Sequence, residues 1–235
     1  MKTIGLLGGM SWESTVTYYQ AINQGIKSRL GGLHSAKLML ASVDFAEIER
    51  LQHAGDWAAT GDILRMAAQS VERAGAHGLL ICTNTMHKVA DQIQAAIKIP
   101  LLHIADATAA SLIRDGVGTV GLIGTAFTME QDFYVGRLAS AGLAVIIPNP
   151  EQRGLIHRVI YEELCQGEID AASRTAYLAI IADLQARGAD AVILGCTEIG
   201  LLVNQSDTEL PLYDTTAIHA HAAVEFMLAN DEPTA

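Results

Sequence analysis

The chain has 235 residues, half of them hydrophobic and only 17% charged, with a formal net charge of −11. This length admits one large domain or two small ones, and this composition supplies a substantial buried core. The acidic balance argues against nucleic acid or an anionic membrane as a partner, because both attract basic surfaces, although a local pocket can carry the opposite sign.

The opening "MKTIGLLGGMSW" predicts a first strand, Thr3–Leu7, followed by a glycine turn, and lacks the apolar core of a signal peptide. Further strands are predicted at Lys37–Val43, Gly78–Ile81, Thr119–Ile123, Ala144–Ile147 and Ala191–Leu194. Helical spacing fills the gaps, most clearly over Ala58–Arg73 and Ala171–Arg187, which end beside the glycine stops Gly75 and Gly188. This alternation predicts an α/β protein with parallel sheets. No apolar run approaches the roughly 18–20 residues that span a bilayer. Cys82, Cys165 and Cys196 are odd in number and widely spaced, so they form neither a disulfide framework nor a CxxC metal pattern. Free thiols without an export signal point to the cytoplasm, where they stay reduced. His103, His219 and His221 lack metal-ligand spacing, and "GLLGGM" lacks the GxGxxG spacing of a dinucleotide loop.

The chain also repeats itself. "AGAHGLLICTNT" (Ala74–Thr85) aligns without gaps on "RGADAVILGCTE" (Arg187–Glu198). "TIGLLG" from Thr3 pairs with "TVGLIG" from Thr119, and "IPLLHIADATAA" from Ile99 resembles "LPLYDTTAIHA" from Leu210. Three matches in one order imply a duplicated half. Their register sets Thr83 opposite Cys196, and Cys82 opposite Gly195. A glycine in the second copy marks a closely packed position, so Cys82 reads as a small apolar filler. Thr83 and Cys196 become the equivalent pair, each at the C-terminal end of a parallel strand, where such sheets bind ligands.

Two proton-transfer groups facing one carbon from opposite sides suit inversion of a stereocentre. A free thiol has a pKa of about 8.5 and needs lowering to act as a base. "TEIGLL" after Cys196 predicts a helix start whose amides would favour the thiolate. The same amides, with Asn84, Thr85 and Thr197, could hold a substrate carboxylate and an enolate-like oxygen.

"LLGGMSWEST", "CTNTMH" and "GCTE" together resemble the aspartate/glutamate racemase family of cofactor-independent amino-acid racemases, and the resemblance spans the whole chain. It implies two flavodoxin-like α/β lobes with parallel sheets, related by a pseudo-twofold, with the active site in the cleft between them. The lobes are expected at residues 1–104 plus 215–235 and at 105–214, the last helix, Thr215–Leu228, returning to the first. It implies a pair of cysteine bases, of which the second, acting on the L-enantiomer, carries over to Cys196. No metal and no pyridoxal phosphate are implied; the expected partners are a small amino-acid substrate and a second copy of the chain in a homodimer.

Two departures matter. Where the family reads C-N-T this chain has Thr83-Asn84-Thr85, which resembles a branch regarded as L-aspartate/L-glutamate-specific. A hydroxyl can donate a proton but is a poor base. Basic residues common in aspartate racemases are replaced by Phe45 and Cys165, leaving Gln52 as the substitute contact for a distal carboxylate and Met10 as a pocket wall. Ordinary readings compete with each assignment: a structural thiol for Cys196, a strand-end residue for Thr83, turn formers for Asn84 and Thr85, packing for Met10, Gln52 and Cys165. His87 is either a turn-orienting residue or a surface one. The resulting expectation is a racemase of L-aspartate or L-glutamate, with Cys196 as base and Thr83 as opposing acid. An arylmalonate-decarboxylase-like lyase using Cys196 alone, or a non-catalytic amino-acid-binding protein, remain the alternatives.

Overall fold

In the computed structural model, which describes residues 1–229, the alternating strands and helices form two units, each with its own parallel sheet. The first unit takes in Met1–Cys82, Val89–His103 and the chain from His219 onward; the second takes in Thr83–Lys88 and Ile104–Ile218. Residues 230–235, expected to complete the first lobe, lie outside the described residues.

The first unit is built around β1 (Ile4–Gly8), which is buried along its whole length because it is the middle strand. After it come α1 (Trp12–Leu30), β2 (Leu38–Ser42), α2 (Phe45–Ala54), α3 (Trp57–Arg73), β3 (Gly78–Ile81) and α4 (Ala90–Gln94). Ser11, Asp44 and Asp56 start the first three helices by accepting a backbone N–H one turn on, as such residues do at N-caps. The strand order is β2-β1-β3, with Ile4 opposite both Leu38 and Gly78. A single parallel bridge, Leu79 to Leu101, continues the sheet beyond β3.

The second unit contains α5 (Ile104–Arg114), β4 (Thr119–Gly124), α6 (Ala126–Glu130), α7 (Asp132–Ser140), β5 (Ala144–Ile146), α8 (Pro150–Glu162), α9 (Ala171–Ala186), β6 (Ala191–Gly195), α10 (Ile199–Leu202), β7 (Leu212–Asp214) and the start of α11 (Thr215–Leu228). Its strand order is β5-β4-β6-β7. Counted within each half, both sheets therefore run 2-1-3-4, the flavodoxin-like order, with the Leu101 bridge standing where β7 stands in the second. The sequence repeat is a repeat of topology.

Strand ends move by a residue from their predicted bounds, and β2 is trimmed at both ends, as suits a half-exposed edge strand. Strand β7 had no prediction, because three residues after a proline carry no periodicity. The helices that follow the two fourth strands change units. Helix α5 lies in the second, and α11 passes to the first from His219, where Ala220, Ala223, Val224 and Met227 join the core around Ile4, Leu6 and Tyr18.

Candidate active site

Residues 83–88 form one side of the candidate site. Cys82 still belongs to the first sheet: its N–H donates to the carbonyl of Leu7 (2.9 Å), and its side chain is fully buried among Ile4, Leu6 and Leu80. Burial among apolar side chains pushes this thiol far above its ordinary pKa. The chain then enters a 3-10 turn, Thr85–Val89, governed by His87. The His87 Nε2 accepts from the Ile104 N–H (3.2 Å), so Nδ1 carries the proton and donates to the Thr83 carbonyl (2.9 Å). Buried His87 thus orients the backbone of Thr83, whose own side chain is half-buried.

The neighbouring polar residues are tied to strand ends of the second sheet. Asn84 Nδ2 donates to Thr215 Oγ1 (3.0 Å), and Thr215 Oγ1 donates to the Leu194 carbonyl of β6 (2.8 Å). The Thr85 and Thr125 hydroxyls meet at 3.0 Å, just past the end of β4. Asn84 Oδ1 is buried and unpartnered among the described residues.

Cys196 stands at the end of β6. A Cβ on Gly195 would lie 2.9 Å from the Ile123 carbonyl, so a larger residue would force this backbone to shift. Cys196 itself is 8% exposed, and its Sγ donates to Glu198 Oε2 at 2.9 Å. Thr197 Oγ1 donates to the same oxygen at 2.8 Å. The expected helix-start activation of this thiol is corrected here. Helix α10 is a four-residue turn whose first residue is Ile199. Burial, then the Glu198 carboxylate, then Cys165 and the thiol–carboxylate bond raise the Cys196 pKa well above its ordinary value, against a smaller pull from a Glu198 backbone bond. Cys196 rests as a thiol beside an acceptor for its proton.

Cys165 packs half-buried against the core that contains Cys196, and Glu163 Oε2 is buried without a partner among the described residues. Met10 and Gln52 are buried residues of the first unit, Met10 after β1 and Gln52 on α2. Thr83, Asn84, Thr85, Cys196 and Thr197 all belong to the second. Glu198, although "GCTE" contains it, Thr215 and Thr125 carry no assignment from the sequence alone. The signal for Glu198 was its place two residues beyond the cysteine, where a carboxylate can fold back on the thiol.

This arrangement sets a buried thiol and a carboxylate, two groups able to exchange a proton, at the end of a parallel strand. Residues 7–223 match the Asp/Glu/hydantoin racemase family, and the chain belongs to that family. It is 26% identical over 164 residues, 69% of its length and 70% of the relative's, to a broad-specificity amino-acid racemase, RacX, of Bacillus subtilis (strain 168). A crystal structure of a candidate Asp/Glu racemase of Yersinia pestis superposes with a TM-score of 0.91 at 55% identity, covering 97% of this chain and 100% of that one. An aspartate racemase homologue of Pyrococcus horikoshii OT3 gives 0.85 at 33% identity, with the same two coverages. Among the described residues no helix is long and apolar enough to cross a membrane.

Proposed function

We propose that the protein is a cofactor-independent racemase of acidic amino acids, L-aspartate or L-glutamate, acting by removal and return of the α-proton. The observation that carries this reading is the Cys196 thiol bonded to Glu198 Oε2, at the position equivalent to Thr83. To act as a base, Cys196 passes its proton to Glu198, so the pair keeps one negative charge while the thiolate forms. The thiolate takes the α-proton of the L-enantiomer and becomes a thiol again. The planar intermediate is then protonated from the other side by the Thr83 hydroxyl, directly or through a water that resupplies it. Glu198 releases to solvent the proton it took, which restores the starting state. In reverse, Cys196 starts protonated, because burial and the Glu198 carboxylate hold its pKa above the ordinary value, and its thiol returns the proton to the L face. Met10, Gln52, Asn84, Thr85 and Thr197 would bind the substrate, with Gln52 serving the distal carboxylate. The protein would work in the cytoplasm as a homodimer.

The test is L-glutamate or L-aspartate in D₂O, with loss of the α-proton signal and appearance of the D-enantiomer followed together. Exchange should outrun inversion, because the thiol on the L side is a better proton-transfer group than the hydroxyl opposite. Absence of both would defeat the reading and leave a lyase or a binding protein.

A further inference from the structure

The hydrogen bonds around Asn84 run in one direction, and a residue 131 positions away sets it. Thr215, fully buried at the start of α11, has a single hydroxyl proton. Its oxygen lies 2.8 Å from the Leu194 carbonyl, a group that can only accept. That proton is therefore committed to β6. Toward Asn84, 3.0 Å away, Thr215 can only accept, so the amide must present its NH₂ there and turn Oδ1 away. Oδ1 is left buried without a partner among the described residues. A buried acceptor in that state disfavours the empty site and favours any ligand that brings a donor.

We propose that Thr215 is a positioning residue that holds Asn84 Oδ1 as the acceptor for the α-ammonium group of the substrate. The inference rests on the amino-acid racemase reading and narrows it. A ligand satisfying this atom carries a donor on its α-carbon, as an α-amino acid does and an arylmalonate-type diacid does not. The lock also joins the segment of Thr83 to the strand that leads into Cys196, since Leu194 lies two residues before that thiol.

Titration calorimetry with L-glutamate and with glutarate, the same skeleton without the ammonium, tests this on the wild type, Thr215→Val, Thr215→Ser and Asn84→Ala. The wild type should prefer L-glutamate by roughly tenfold or more, the size of one hydrogen bond to a charged group. Thr215→Val frees the amide to rotate and should weaken L-glutamate by about tenfold, with glutarate changed by less than about twofold. Thr215→Ser should restore the preference. Asn84→Ala removes the acceptor and should abolish the preference, which keeps the inference testable if the valine variant does not fold. An equal loss for both ligands in Thr215→Val, a preference retained in Asn84→Ala, or a wild type without preference, including one that holds neither ligand, overturns the inference. Exchange and inversion in D₂O are measured alongside: a preference for the amine without exchange overturns the racemase reading alone.

Discussion

The two halves share a strand order but reverse the use of two neighbouring positions at the end of the third strand. In the first half the inward filler is Cys82, buried among Ile4, Leu6 and Leu80, and the next residue is Thr83. In the second the filler position is Gly195, pressed against the Ile123 carbonyl, and the next residue is Cys196. The surroundings differ as well. Thr83 is held through its backbone carbonyl by His87, which leaves the hydroxyl uncommitted to that histidine. Cys196 is held through its side chain by Glu198, whose carboxylate accepts its hydrogen bond. The setting of a cysteine here thus depends on which side of the strand end it occupies, an apolar core for Cys82 and a carboxylate for Cys196. Chemical identity alone does not decide it.

The sharpest way to break that contrast is to remove each thiol. Cys196→Ser should cost roughly 10²–10⁴-fold in turnover, the range for a lost acid–base group. Cys82→Ala should leave turnover within about threefold and spend its effect on stability. Equal losses in steady-state racemisation would erase the distinction.

Glu198→Gln comes next, with an expected drop of roughly 10²-fold, because the amide keeps a hydrogen bond to Cys196 but cannot accept its proton. Removing the carboxylate charge should meanwhile lower the thiol pKa. Alkylation of Cys196, followed by mass mapping across pH, should therefore begin at lower pH in the variant than in the wild type. A variant that alkylates faster yet turns over more slowly fits a proton acceptor; slower alkylation would not.

The first unit carries its own buried polar group, which separates stability from catalysis. His219 donates from Nε2 to the Leu102 carbonyl (2.8 Å) and accepts from the Tyr18 hydroxyl (2.9 Å), so the ring is neutral. Burial lowers its pKa from 6.5 to about 4. Below pH 6.5 the unfolded chain takes up a proton that the folded chain refuses, so stability should fall as pH drops from about 6.5 to about 4. The loss is bounded near 3 kcal/mol, from ~1.36 kcal/mol per pKa unit. Urea midpoints at pH 7 and 4.5 should separate further in the wild type than in His219→Gln; identical separations would remove His219 from the acid response.

The smallest expected effect concerns packing. Gly195→Ala should destabilise by about 1–3 kcal/mol, because its Cβ meets backbone that must shift. Alanine in place of Cys82 should cost less than that, since nothing is forced apart. Comparable thermal melts for the two would contradict the difference in space between the halves.

The sequence by itself determined the α/β class, the duplication and the pairing of Thr83 with Cys196. These were legible because strands buried on both faces read as apolar runs, and because an ungapped repeat fixes register without any contact being known. It could not supply β7, which is too short for a period, or the state of Cys196. That state depends on burial and on the direction in which Glu198 folds back, and local helix-start logic pointed to the opposite sign. Nor could it orient Asn84, whose amide is set by Thr215 and, through it, by Leu194. Local pattern follows from the backbone's own periodicity, which any short window reveals. The proton positions follow from partners that only folding brings within about 3 Å, where a hydrogen bond has a direction.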